Sequence, residues 1–298
     1  MIVSASYRTD IPAFYAEWFR RRFTLGHCMV ANPYGGPPGR VALRDGVDGY
    51  IFWTRNITPF LDALELVAAE GLPFVVHYTL TGYPRPLERR VVEAGRAIGA
   101  IAGLAARFGL GGVVWRYDPI LLSELTPVDW HIENFSRLAD HLAGLVDEVV
   151  VSWLDLYRKT LRNLQGLAVI DPAAEQKTAL LRRLAAIAEA RAIRLTLCTE
   201  PELACRSGLT EARCIDAERL GRRAGRPIAA RRKGNRPGCL CAESRDIGDY
   251  DSCPHGCVYC YAVASPAAAR ARFHGHDPNG DFLMPPHRLN FSGPRELK

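Results

Sequence analysis

Three cysteines lie in the run Cys253-Pro-His-Gly-Cys257-Val-Tyr-Cys260, a C-x3-C-x2-C spacing. Thiolates so spaced fit on one tight loop and can point at one centre. Three ligands are one too few for a closed tetrahedral site, so whatever they hold keeps an open position. A four-iron cluster bound this way leaves one iron without a protein ligand, and an open iron can do chemistry. His255 within the run also permits a mixed Cys/His zinc site. Inert thiols, or a disulfide with a spare thiol, are the remaining alternatives.

A second group stands close by. Cys239-Leu-Cys241 is a C-x-C pair, and with Cys198 and Cys214 it supplies four thiolates, enough for a closed site. That set suits either an auxiliary cluster or a structural zinc; the plain alternative is buried cysteines acting as small apolar residues. Five of the nine cysteines fall between Cys239 and Cys260, which points to metal rather than core filling.

The string Tyr250-Asp-Ser-Cys253-Pro-His-Gly-Cys257-Val-Tyr-Cys260-Tyr-Ala262 resembles the cysteine loop of the radical S-adenosylmethionine (SAM) superfamily, and of its spore photoproduct lyase-like branch in particular. The position is unusual: that loop generally stands near the N-terminus of such enzymes, and here it is near the C-terminus. The resemblance implies a [4Fe-4S] cluster on Cys253, Cys257 and Cys260, with SAM as co-substrate and Tyr259 beside the cofactor. It also implies an electron donor such as flavodoxin or ferredoxin. Four further strings are Ser4-Ala-Ser-Tyr-Arg-Thr-Asp-Ile-Pro12, Phe52-Trp-Thr-Arg-Asn56, Trp115-Arg-Tyr-Asp-Pro119 and Cys239-Leu-Cys-Ala-Glu-Ser-Arg-Asp-Ile-Gly248. Together they are similar to a bacterial family known as a domain of unknown function. Cys198, Cys214, Cys239 and Cys241 match cysteine positions of that family; Tyr7 departs from it, standing where a basic residue is expected.

The elements that must position these residues alternate along the chain. Short apolar runs at about Ile2–Ala5, Tyr50–Trp53, Phe74–Thr79, Val113–Tyr117, Val149–Trp153 and Leu195–Cys198 read as strands. Their nearly continuous apolar character suits parallel strands covered on both faces. Amphipathic runs between them predict helices over roughly 11–24, 59–70, 86–108, 129–146 and 172–190, with prolines at their starts. His27–Val30 and Arg40–Leu43, flanking a Gly/Pro-rich turn, predict a hairpin. Six strand–helix units give an α/β fold with a parallel sheet, either open and doubly wound or a partial or complete (β/α) barrel resembling a TIM barrel. A (β/α) catalytic domain is expected over 1–220, and an irregular cysteine-rich cap carrying the cluster loop over 221–298.

In such folds ligands bind at the C-terminal ends of the strands. Those ends carry Arg8 and Asp10, Arg55, Arg116 and Asp118, and Glu200. Each is an ordinary cap or salt-bridge residue when taken singly. Gathered, they suggest a polar pocket, with Arg8, Arg55 or Arg116 for the carboxylate of SAM and Asp118 or Glu200 for ribose hydroxyls.

The chain of 298 residues is large enough for a substantial core, and at 48% hydrophobic it is globular. MIVSASYRTD offers no basic region followed by an apolar one, and no uncharged apolar run spans a bilayer, so a cytoplasmic protein is expected. The net charge of +6 is local: eight cationic residues and no acidic one lie between Arg219 and Arg236, and without them the chain is slightly acidic. That segment reads as a solvated linker or as a phosphate-binding arm for nucleic acid. The substrate is thus a small molecule or a nucleic acid. The rival to a radical enzyme is a zinc-stabilised nucleic-acid-binding module.

Overall fold

The computed structural model describes residues 1–285 except Tyr34. Residues 286–298 of the expected cap, and Tyr34 in the hairpin turn, lie outside them. In chain order the strands are β1 (Ile2–Ala5), β2 (His27–Val30), β3 (Gly39–Ala42), β4 (Gly49–Thr54), β5 (Phe74–Thr79), β6 (Val113–Ile120), β7 (Leu122–Ser123), β8 (Glu148–Trp153), β9 (Val169–Ile170), β10 (Arg194–Leu197), β11 (Thr210–Glu211) and β12 (Ser244–Asp246). The helices are α1 (Ile11–Phe14), α2 (Ala16–Thr24), α3 (Leu61–Ala69), α4 (Ala94–Phe108), α5 (Val128–Leu142), α6 (Arg158–Asn163), α7 (Ala174–Glu189), α8 (Pro201–Ser207), α9 (Ala217–Ala224) and α10 (Pro266–His274).

Eight strands form one parallel sheet in the order β11-β10-β8-β6-β5-β4-β1-β12. The six apolar runs are its centre. The two edges are short: β11 pairs through Thr196 and Leu197 of β10, and β12 pairs through Ile2, Val3 and Ser4 of β1. The β2–β3 hairpin stands apart from the sheet.

Alternation along each strand sorts the side chains onto two faces. Val3, Tyr50, Phe52, Val76, Trp115, Val149 and Leu197 point to one face, where Phe19, Leu64, Leu104, Phe135, Leu138 and Leu184 of α2, α3, α4, α5 and α7 cover them. Ile2, Ile51, Val75, Val114 and Val150 point to the other face. Leu220 of α9 covers them there, with Ala212, Cys214, Ile228, Cys241 and Ala242 of the chain around it. The main helices thus lie on one face, and the cysteine-bearing segment fills the other. The second face turns polar toward the C-terminal strand ends, where it carries Ser4, His77, Arg116 and Ser152, all buried.

Two departures from the sequence expectation have physical causes. The helix expected from Pro86 begins only at Ala94, because residues 84–91 fold instead against the cysteine loop. The irregular cap expected from residue 221 contributes β12 to the sheet, and that boundary falls inside α9. Among the described residues no helix is long and apolar enough to cross a membrane.

His131 of α5 gives the fold a pH dependence. It is fully buried; its Nε2–H faces the Leu121 carbonyl at 2.9 Å, which leaves Nδ1 to accept from the Tyr117 hydroxyl at 2.8 Å. Burial pushes its pKa down to about 4, against a smaller opposite pull from the Leu121 carbonyl. Below about pH 6.5 the unfolded chain therefore takes up a proton that the folded chain refuses until about pH 4, so stability falls as pH falls through that window. Urea melts at pH 7 and pH 5 are expected to differ by roughly 2 kcal/mol from this residue alone. His131→Gln should lower stability at pH 7 yet flatten the slope; an unchanged slope would refute the assignment.

Candidate functional site at the C-terminal strand ends

The cysteine loop is seated on the C-terminal ends of β1, β4 and β5. Its first anchor is Asp10, in the turn between β1 and α1. Asp10 caps α1 through Oδ1, which accepts from the Ala13 amide at 2.9 Å. Its Oδ2 accepts from the Arg55 amide and from His255 Nε2, each at 2.8 Å. One carboxylate thus ties β1, β4 and the cysteine loop together. The His255 ring also meets the edge of Phe14 at 4.6 Å, and the Tyr15 hydroxyl donates to the Ser252 carbonyl at 2.6 Å.

On the other side, the Arg90 amide donates to the His255 carbonyl at 3.0 Å, and the Val258 amide to the Leu87 carbonyl at 3.1 Å. Glu88 and Cys257 form a short antiparallel bridge there. Beneath that bridge lies a buried ion pair: Arg55 Nη1 donates to Glu88 at 2.7 Å, and Nη2 donates to the Tyr259 hydroxyl at 2.6 Å. Thr81 and Tyr259 both donate to the same Glu88 oxygen. Tyr259 therefore faces inward, locked between Arg55 and Glu88.

Cys257 is buried, and Cys253 and Cys260 are half-buried. Burial pushes the Cys257 thiol up to about 12, against the pull of Arg55. Burial also raises Cys253, with Asp10 and Cys260 adding to it, and raises Cys260 against the Ala262 and Val263 amides. Thiols raised in this way are not activated nucleophiles. Cys253 and Cys257 both feel the charge of Cys260, and sulfur is the only donor type the three offer. Among the described residues no three His, Cys, Asp or Glu side chains are gathered as ligands of a single ion. A four-iron cluster takes thiolate ligands, so the three match it in donor chemistry.

The remaining strand-end residues meet partners of their own. Arg8 lies 3.5 Å from Asp246 and over the rings of Tyr7 and Tyr250. Asp246 also accepts from the Ser4 and Ser6 hydroxyls and from the Tyr7 and Gly248 amides. Arg116 pairs with Asp118 and donates to Cys214 Sγ at 3.0 Å. Burial alone would raise the Asp118 carboxyl, but Arg116 and the Ser152 hydroxyl draw it below its usual range. Glu200, raised by burial, caps the Trp153 amide at 2.8 Å. The strand-end charges are balanced within the protein: Glu88, Asp118 and Asp246 pair with Arg55, Arg116 and Arg8. Sequence reasoning missed Glu88 and Asp246, which stand outside the six apolar runs.

The basic segment is likewise engaged. Arg219 is buried against Asp147 and Glu148, Arg226 meets Asp48, Arg231 and Lys233 share Glu243, and Arg236 pairs with Asp155. Arg219 and Arg236 tie the segment to β8 and the turn after it, while residues 229–233 and 235–238 are exposed to solvent. A groove of about 520 Å³ lies elsewhere, beside Glu17, Arg20, Leu66 and Asn279. Its arginines are held by Glu17, Asp62 and Asp281, so it adds nothing to the strand-end chemistry.

No curated protein and no solved structure matches the chain. A family model matches residues 2–262, a span that contains the strand-end residues and both cysteine groups. The chain belongs to the family described as a domain of unknown function, DUF1848.

Proposed function

We propose that the protein is a radical SAM-type iron–sulfur enzyme, with Cys253, Cys257 and Cys260 as ligands of a [4Fe-4S] cluster. The observation that carries this reading is the seat of the three thiols: a sulfur-only set over the C-terminal ends of parallel strands, where such folds bind ligands. When bound, such a cluster supplies an iron free to take the amino and carboxylate groups of SAM, and an electron for cleavage of a carbon–sulfur bond.

The protein's own residues support that centre. Asp10 and the Arg55–Glu88–Tyr259 network fix the loop from two sides. Arg8 and Arg116 are the cations offered to a carboxylate at the strand ends, each already aligned by an aspartate. The sequential order of the strands from β1 to β11 and the one-sided main helices support a partial (β/α) barrel whose mouth the loop covers. A flavodoxin or ferredoxin would supply the electron, and the expected setting is the reducing cytoplasm.

Anaerobic purification followed by iron and sulfide assay is the test. Iron with matching labile sulfide is expected, and 5′-deoxyadenosine should form when SAM and a reductant are added. Stoichiometric zinc at this loop without labile sulfide would overturn the proposal.

A further inference from the structure

Arg116 links the Asp118 carboxylate to the second cysteine group. Cys198 follows β10, Cys214 follows β11, and Cys239 and Cys241 precede β12. The fold brings these four sequence-distant positions together on the second face of the sheet. Cys198 Sγ and Cys214 Sγ are 3.7 Å apart. At a Zn–S bond of about 2.3 Å, tetrahedral geometry separates two sulfurs by roughly 3.8 Å. Cys241 adjoins both Cys214 and Cys239, so the four thiols follow one another in space in the order Cys198, Cys214, Cys241, Cys239.

The surroundings suit thiolates. Arg116 Nη1 donates to Cys214 Sγ at 3.0 Å, and the Ile215 amide donates to Cys241 Sγ at 3.4 Å. Donors aimed at sulfur orient a ligand and offset the charge of a tetrathiolate site. The loop that presents Cys239 is tightly turned. The Cys239 amide donates to the Arg236 carbonyl and the Lys233 amide to the Cys241 carbonyl. A Cβ at Gly234 would stand 2.4 Å from that of Cys239, so only glycine lets the two strands of the loop approach.

We propose that Cys198, Cys214, Cys239 and Cys241 bind one zinc ion, closed and structural, which holds the segment leading into β12 against β10 and β11. Among the described residues no three of these side chains already converge on one point. Binding of the ion therefore requires side-chain rotation, for which the half-exposed Cys198 and Cys239 have room. The inference does not depend on the cluster at Cys253, Cys257 and Cys260.

The experiment uses the full chain carrying Cys253→Ala, Cys257→Ala and Cys260→Ala, so that the cluster loop contributes no metal. It should retain one zinc per chain after gel filtration and contain no labile sulfide. Cobalt titrated into the zinc-free form should bind one to one with thiolate charge-transfer absorbance. Adding Cys239→Ser and Cys241→Ser should cut zinc retention at least tenfold, whereas Cys205→Ser, at an exposed thiol, should leave it unchanged. If the variant with both serines is too damaged to fold, the cobalt titration of the parent variant still decides. Absence of stoichiometric zinc and cobalt binding, or labile sulfide at this site, overturns the proposal. Failure of the iron assay on the wild-type chain would leave it standing.

Discussion

Cys257→Ala is expected to abolish the iron, labile sulfide and reduced-state EPR signal of the anaerobically purified protein. A three-thiolate set has no redundancy. The substitution spares the backbone contacts that seat the loop, namely the Val258 amide on the Leu87 carbonyl and the Arg90 amide on the His255 carbonyl. The His255–Asp10 contact is also left in place. Loss of signal with an unchanged circular dichroism spectrum would therefore report loss of a ligand rather than loss of the fold. Cys253→Ala and Cys260→Ala should behave alike, and Cys239→Ala should keep the signal. The reverse pattern, with Cys239→Ala silent and Cys257→Ala intact, would show the cluster to be assigned to the wrong cysteines.

Glu88→Gln is expected to destabilise the protein by roughly 3–5 kcal/mol, the range for removing one member of a buried ion pair. Glu88 is 4% exposed and is the acceptor shared by Arg55, Thr81 and Tyr259. Without its charge, the Arg55 guanidinium is left buried and uncompensated. Urea unfolding of the single variants, of Arg55→Met and of the double variant would measure the coupling. The double variant should lose less than the two singles together, because it leaves no orphaned charge. Strict additivity would mean that the pair is not coupled as its geometry implies.

The sequence made the frame of this molecule legible where burial dictates composition. The six central strands are apolar because both of their faces are covered, and each was readable for that reason. The edges were not readable. Thr210–Glu211 and Ser244–Asp246 are short and polar, and they are strands only because β10 and β1 offer them unpaired backbone. The cysteines and the polar strand ends were visible as residue types, and their positions relative to the sheet followed from its parallel architecture. Their partners were not visible. Glu88 lies where helical spacing was read but no helix forms, and Asp246 sits 242 positions from Ser4. Contacts of that range leave no periodic trace.

The pairing of β12 with β1 also constrains the order in which the protein is made. Synthesis runs from the N-terminus, so β1 emerges long before the strand that covers its outer edge. Until Ser244–Asp246 arrives, that edge is a row of unpaired amides and carbonyls, open to association with other chains. The loop that follows docks through Asp10 and Tyr15, residues made long before it, across separations of 245 and 237 positions. Pairings so distant in sequence form slowly. The nascent protein thus passes through a stage with its sheet largely assembled and its seam open, until the segment carrying β12 and the cysteine loop shuts it.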